Sequence, residues 1–332
     1  MNKKPKSRAW KGAVAGGTAI LLVVLLLITT LSGVSGSGGS ATVSLGNGSV
    51  SDAFSVVSVP DEANPDVVGG DAEIYFFDVG QGDSSLIIEG GKTLLIDAGD
   101  NGREDFLIEN IAALGIVRLD YVVATHNHAD HIGGMEEIIN AFEIGTFFTT
   151  ATPNTTATYE RMLEALEAKT DIEVVIPRPG DSYTLGSSHF QFLGPFNSHL
   201  EFDDQNDSSL VLKYINGVHS FLFMGDAEAK TEQDLLDSAT DVSATVLKVG
   251  HHGSSSSSTP EFIERVGAGY AIISCGADNE YGHPHHETLE TLTNTAVLTT
   301  PENGTIYVTS TTAGLTMYTE KGASLVIGED FK

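Results

Sequence analysis

Six consecutive positions, His126-Asn127-His128-Ala129-Asp130-His131, hold three of the 11 histidines of this 332-residue chain together with an aspartate. They follow Leu119-Asp120-Tyr121-Val122-Val123-Ala124, an apolar, β-branched run that reads as a buried strand. They precede Ile132-Gly133-Gly134, where the chain can turn before a helix begins at Met135. Such a loop, polar and bracketed by a buried strand and a helix, constrains the chain to a fold that gathers strand ends at one edge. That is the edge where α/β proteins place their chemistry. In an extended stretch His126 and His128 point the same way, so they can share one metal ion. Asp130 and His131, past the bend, can face a second. Neutral imidazole and carboxylate suit Zn2+, with Mn2+ or Fe as alternatives.

Further apolar strands are expected at 73–78, 84–89, 92–97, 120–125, 209–214, 218–224, 244–249 and 270–274. Helical patterns lie between them at Ala157 to Lys169, Glu228 to Leu236 and Pro260 to Val266. This mixture predicts an α/β (α+β) domain of two mixed sheets covered by helices, over residues 72–332. The N-terminal part differs. Residues 1–11 carry five basic residues and no acid, a cytoplasmic basic segment. Residues 12–31 form an uncharged apolar run of 20, long enough to cross a bilayer core of ~30 Å. The preceding positive charge predicts one N-terminal transmembrane helix with the remainder of the chain outside. The rival is a signal peptide cleaved near Ser32-Gly33-Val34-Ser35-Gly36, releasing a secreted protein. Residues 32–71, rich in Ser and Gly, are expected to be a flexible linker, with a local strand near Ala53 to Val57 as the alternative.

His-x-His-x-Asp-His between a buried strand and a Gly-Gly helix start resembles the metallo-β-lactamase superfamily signature. The closer resemblance is to the hydrolase domain of the ComEC/Rec2 competence protein family. It is carried in order by Phe76-Phe77-Asp78-Val79-Gly80-Gln81-Gly82-Asp83-Ser84, Leu94-Leu95-Ile96-Asp97-Ala98-Gly99 and Ser208-Ser209-Leu210-Val211-Leu212. Phe221-Leu222-Phe223-Met224-Gly225-Asp226, Leu247-Lys248-Val249-Gly250-His251-His252-Gly253-Ser254 and Tyr281-Gly282-His283-Pro284-His285 complete the set. The resemblance spans about residues 72 to 320 and does not take in that family's transmembrane channel, so it does not extend to DNA transport. It implies a metallo-β-lactamase-like αβ/βα four-layer sandwich with two divalent metal ions.

The resemblance also supplies site residues. Asp226, emerging from a strand through Gly225, becomes the bridging ligand between two cations; the competing reading is an N-cap for the helix near Glu228. With it, the expected metal ligands are His126, His128, Asp130, His131, Asp226 and His252. The choice between His251 and His252 stays open by spacing, because the turn at Gly250 removes strand alternation. The expected catalytic residues are Asp130, His251 and His283: Asp130 orients the attacking water, and the two histidines donate to the phosphate or the leaving oxygen. Asp97 is expected to orient a ligand from outside, or to close an Asx turn. Asp83 and Asn206 are expected near substrate or behind the ligands. Gly194-Pro195-Phe196-Asn197-Ser198-His199 does not resemble the motif that supplies a further histidine in many superfamily hydrolases. The first metal would therefore hold His126, His128, Asp226 and solvent, an open set that admits a phosphoryl oxygen. His189, His199 and His219 fall in no motif by spacing and are expected to be solvated or packed, and His286 is expected to cap or line the helix starting at Glu287.

Charge bounds the substrate. Five of the 17 Lys and Arg precede Gly12, leaving 12 against 45 acidic residues, and the net charge is −28. This dispersed excess is a halophilic composition. It repels long nucleic acid at low salt, offers no basic stripe for counterion release, and is screened as salt rises. The single cysteine, Cys275, excludes an internal disulfide and reads as a small buried hydrophobe. Together these features predict a membrane-held, extracytoplasmic dinuclear metal-dependent hydrolase cleaving phosphodiesters, a phosphodiesterase or nuclease. Extracellular DNA comes first among substrates by resemblance and a cell-envelope phosphodiester second. The alternatives are a lactamase- or thioester-type hydrolase, or a non-catalytic accessory protein of a DNA-uptake system. No obligate protein partner is inferred.

Overall fold

Runs of β-branched and aromatic residues pair into two sheets in the computed structural model, which describes residues 55–60 as backbone, 69–196 and 205–322 in full. The basic segment, the apolar run at 12–31, most of the linker and His199 lie outside the described residues. Among the described residues no helix is long and apolar enough to cross a membrane. The strands, in chain order, are β1 (Ser55–Pro60), β2 (Ala72–Phe76), β3 (Ser85–Glu89), β4 (Lys92–Ile96), β5 (Arg118–Val123), β6 (Glu143–Phe148), β7 (Glu173–Val175) and β8 (Ser182–Leu185). They continue with β9 (Ser188–Phe192), β10 (Leu212–Asn216), β11 (His219–Phe223), β12 (Val246–Lys248), β13 (Tyr270–Ile273), β14 (Ala296–Thr299), β15 (Ile306–Thr311) and β16 (Gly314–Thr319).

One sheet has the order β1-β16-β15-β2-β3-β4-β5-β6-β7, and the other β14-β13-β12-β11-β10-β9-β8. Both follow one plan. Antiparallel pairs β2/β3/β4 and β8/β9/β10/β11 lead into parallel runs β4/β5/β6/β7 and β11/β12/β13/β14. The carboxyl ends of β4, β5, β11 and β12 carry Asp97, the His126–His131 loop, Asp226 and the His251-His252 pair.

Side chains from both sheets form the core between them: Phe148 of β6 lies 5.0 Å from Phe192 of β9, and Phe76 of β2 lies 5.9 Å from Phe223 of β11. Strand β11 shows how alternation builds two cores at once. Phe221 and Phe223 face the intersheet core, whereas Leu222 joins Leu235, Leu247, Phe262 and Ile273 in a second core. That core buries the helices Ala229–Asp237 and Pro260–Val266 against the other face of the sheet. Each large apolar side chain sealed there contributes roughly 1.5–3 kcal/mol. Cys275 is part of it, and burial pushes its thiol up to about 12, consistent with a packing role.

Within the segment read as flexible linker, with a local strand near Ala53 to Val57 as the alternative, Ser55–Pro60 is an edge strand paired antiparallel with β16, Val57 opposite Met317 and Val59 opposite Leu315. Three valines in a Ser/Val run suit an extended edge and outweigh the Ser/Gly content of the flanks. The pairs β5/β6 and β15/β16 include strands that the sequence reading did not place.

Candidate metal centre

The site begins with a buried carboxylate behind the first sheet's strand ends. Asp97 accepts from the Thr125 backbone N–H and hydroxyl, both at 2.8 Å, and from His131 Nδ1 at 2.8 Å. The carboxylate can only accept, so His131 carries its proton on Nδ1 and turns Nε2 inward. His126 and His128 leave the strand on one side, His126 Nε2 3.1 Å from His128 Nδ1, as their two-residue spacing implies. The chain then bends into the short helix Ala129–Ile132. There the Asp130 carbonyl is packed so closely on Gly82, at φ +137°, that any Cβ at that position would collide with it.

The second sheet supplies the other half. Gly225, at φ +54°, lets β11 turn beneath Thr125, and a Cβ there would lie 3.0 Å from the threonine side chain. Asp226 follows, its N–H donated to Ser209 Oγ at 3.0 Å. Asp207, rather than Asp226, accepts the Glu228 and Thr231 N–H groups at the start of helix Ala229–Asp237. The N-cap reading of Asp226 is thereby corrected, and its carboxylate is left for the centre. Oδ1 lies 3.0 Å from His131 Nε2, and Oδ2 lies 3.5 Å from His252 Nε2 and 3.7 Å from His126 Nε2.

After β12, His251 (φ 47°, ψ 47°) and His252 (φ 54°, ψ 21°) are both left-handed. Each such residue costs about 1–3 kcal/mol, a strain that clusters at functional sites. The turn swings His252 into the interior, where Nδ1 donates to the Ser274 carbonyl at 2.9 Å and Nε2 faces inward, 3.3 Å from His131 Nε2 and 3.2 Å from Asp130 Oδ2. His251 stays at the rim. Its Nδ1 meets Glu228 Oε1 and Ser256 Oγ at 3.0 Å, and its Nε2 points to Asp226 Oδ2 at 3.8 Å. Asn206 Nδ2 donates to the same Glu228 oxygen at 3.0 Å. The His283 ring lies 5.6 Å from that of His251 and 6.1 Å from that of His252.

Two groups of donor atoms result, each compact enough for one cation: His126, His128 and Asp226, and Asp83, His131, Asp226 and His252. Asp226 belongs to both. Within the second group Asp83 stands apart, because it faces His252 Nδ1 at 3.3 Å and not the inward Nε2. Its other oxygen accepts from Lys248 Nζ at 2.7 Å in a buried ion pair. Asp83 therefore backs the ring, and Asp130 Oδ2 is the oxygen on the Nε2 side. The buried Asp226 carboxylate faces inward nitrogens of His131, His252 and His126 at 3.0, 3.5 and 3.7 Å, and such a set of carboxylate and imidazole donors fits a divalent cation of the zinc type.

Electrostatics separate the groups. Burial holds His126 well below the ordinary histidine range, with His131 adding to the effect, and burial also lowers His128. For His131 burial works in the same direction, but Asp226 and Asp97 outweigh it and raise the ring well above that range. His252, buried beside Asp226 and Asp83, rises to about 10. Burial would raise Asp226, yet His131 and His252 hold it well below the carboxylate range, and Asp130, opposed in the same way, is held low by His252 and His131. At the rim, Glu228 overcomes the burial of His251 and raises it, whereas burial and the neighbouring His252 lower His283 to about 4.

The expected site residues His126, His128, Asp130, His131, Asp226, His251, His252, His283, Asp97, Asp83 and Asn206 gather around this centre. His286 opens helix His286–Thr291 and pairs with Glu290 at 3.3 Å, and His189 is exposed on β9. Lys248, Glu228 and Ser256 were not anticipated. For Lys248 the available signal was a lysine inside the apolar strand Val246-Leu247-Lys248.

Residues 77–277 match the metallo-beta-lactamase superfamily, and the chain belongs to it. Its relatives are of the ComEC/Rec2 type. It is 32% identical over 260 residues to ComE operon protein 3 of Bacillus subtilis, covering 72% of this chain and 33% of that protein. It is 32% identical over 225 residues to Recombination protein 2 of Haemophilus influenzae, covering 66% of this chain and 26% of that protein. The chain thus spans a third or less of the length of these relatives. Among solved structures, the metallo-beta-lactamase fold protein YhfI from Bacillus subtilis aligns with a TM-score of 0.49 at 16% identity, over 74% of this chain and 99% of that one.

Proposed function

We propose that this chain is a dinuclear metal-dependent phosphodiesterase of the nuclease type, acting outside the cytoplasm on DNA or on a cell-envelope phosphodiester. The observation that carries the reading is the sharing of buried Asp226 by two donor groups at the strand ends, with ionisable groups at their rim. His126, His128 and Asp226 would hold one cation, and Asp130, His131, His252 and Asp226 the other. When bound, two such cations supply Lewis-acid polarisation of a phosphoryl group and acidify water from 15.7 toward about 7. Asp130, held ionised, is too weak a base to take a proton at neutral pH and instead accepts a hydrogen bond that orients the attacking water. His251, raised by Glu228, keeps a proton on Nε2 to give to the leaving oxygen. His283, lowered by burial, serves as a neutral hydrogen-bond donor to the phosphate. The names of two relatives, Recombination protein 2 and Competence protein ComA of Neisseria gonorrhoeae, favour DNA as substrate. Residues 12–31 would anchor the chain with this domain outside.

The test is a substrate panel on the metal-loaded protein at low and high salt: single- and double-stranded DNA, a small aryl phosphodiester, nitrocefin and an acylated glutathione. Phosphodiester cleavage, rising with salt more steeply for DNA than for the aryl diester, is expected from the −28 charge. Turnover of nitrocefin or the thioester alone would overturn the reading.

A further inference from the structure

The loop that carries His283 also holds an aromatic ring out to solvent. Tyr281 is 58% exposed, and the other exposed large hydrophobics among the described residues are Val117 and Val218. Its ring stacks on His283 at 5.5 Å and 21°, and His283 in turn stacks near His252 at 6.1 Å and 28°. Three rings thus step from the metal centre to the surface, and the outer face of the last is open.

The loop is pre-organised. The Ser255 N–H donates to His285 Nδ1 at 2.9 Å, which leaves the His285 proton on Nε2 to donate to the Tyr281 carbonyl at 3.0 Å. The Asn279 side chain bonds the Gly276 carbonyl at 2.9 Å and both backbone groups of His283. A fixed, solvent-facing tyrosine gives contact area at little entropic cost. The acidic surface makes such area valuable for a nucleic acid. With 45 acids against 17 bases, backbone phosphates find few cations, whereas base stacking does not depend on charge.

We propose that Tyr281 is a stacking platform for the nucleobase next to the phosphate at the metal centre, so that the substrate is a single-stranded or unpaired nucleic acid; this rests on the phosphodiesterase reading. A quaternary ammonium would be the rival occupant of a tyrosine face, but such ions are recognised by cages of several rings, and Tyr281 offers one.

The experiment uses the full metal-loaded chain, with Tyr281→Ala and Tyr281→Trp, and two probes of equal length: a phosphorothioate oligothymidylate and the same backbone with abasic sugars. Wild type should bind the base-bearing strand roughly 10- to 100-fold more tightly. Tyr281→Ala should erase that difference in binding, with any change in kcat the same on base-bearing and abasic phosphodiester strands. Tyr281→Trp should restore it, with fluorescence quenched by the base-bearing strand alone, a signal read against the one native tryptophan, Trp10. Equal losses for both strands in Tyr281→Ala, undiminished discrimination, or a preference for a phosphorylcholine diester that depends on Tyr281 would each overturn the proposal. Base-dependent binding without hydrolysis of any phosphodiester would uphold the stacking and refute the hydrolase reading; hydrolysis without base dependence would do the reverse.

Discussion

The two donor groups that share Asp226 are built to different standards. In the inner group, His131 is oriented by Asp97 and His252 by the Ser274 carbonyl and Asp83, and each of these residues is sealed from solvent. In the outer group, His126 Nδ1 has a longer contact of 3.3 Å with the Thr125 hydroxyl, and His128, only partly buried, leans on His126. Their charge states differ as well: carboxylates raise His131 and His252, whereas burial lowers His126 and His128. Without metal, the inner group therefore stores protons where a cation would sit, and the outer group presents neutral imidazoles. Enclosure and outer hydrogen bonds favour a permanently held ion, and an open position favours substrate. On the proposed reading, the inner group would retain its ion and the outer group would meet substrate.

Replacing the shared carboxylate should have the largest effect. Asp226→Ala should empty both positions in elemental analysis and lower phosphodiester turnover by more than the ~100-fold that bounds the loss of an outer partner. Retention of one full ion would break the sharing. His128→Ala should halve the metal content and leave the inner ion tightly held; loss of both ions would show that the groups are not separable. Asp97→Asn keeps the shape but loses the charge behind His131. It should weaken the inner ion by roughly 10- to 100-fold in competition with a chelator and leave the outer one unchanged.

Stability should also follow the inner group's protons. The folded value of His252, about 10, lies above its ordinary 6.5, so its contribution to the metal-free protein is complete below about pH 6.5 and is lost as pH rises toward 10. The Tm of metal-free protein should fall across that window, and the gain in Tm on adding Zn2+ should grow. A flat profile would remove the charge contrast. The smallest effect is expected at the rim. Glu228→Gln should lower His251, shifting the alkaline limb of kcat/KM to lower pH, with metal content unchanged.

What could be read from the sequence follows the distance between partners. His126, His128, Asp130 and His131 are neighbours in sequence, so ligand chemistry and the strand before them were enough to pair the first two and set the others apart. Asp226 and His252 depended on strand-end position and on the family resemblance, because spacing alone does not separate His252 from His251; the left-handed turn that sends His252 inward has no local signature. The Asp83–Lys248 pair joins residues 165 apart, and Glu228 reaches His251 across another element, so neither leaves a local pattern. The strands with strong apolar runs were found within a few residues. β1, an edge strand of Ser and Val, carries a weaker signal because an edge strand needs no continuous apolar run; β16, which lies between β1 and β15, alternates Thr with Leu, Met and Tyr in place of such a run.

The unequal, shared centre is tested most directly by calorimetric titration of Zn2+ into the metal-free wild type at pH 7, repeated in two buffers of different ionisation enthalpy. Two ions per chain should bind in two distinguishable steps, with the step at His131 and His252 releasing protons and the other releasing few. A single ion, or two equivalent ions bound without proton release, would contradict the account.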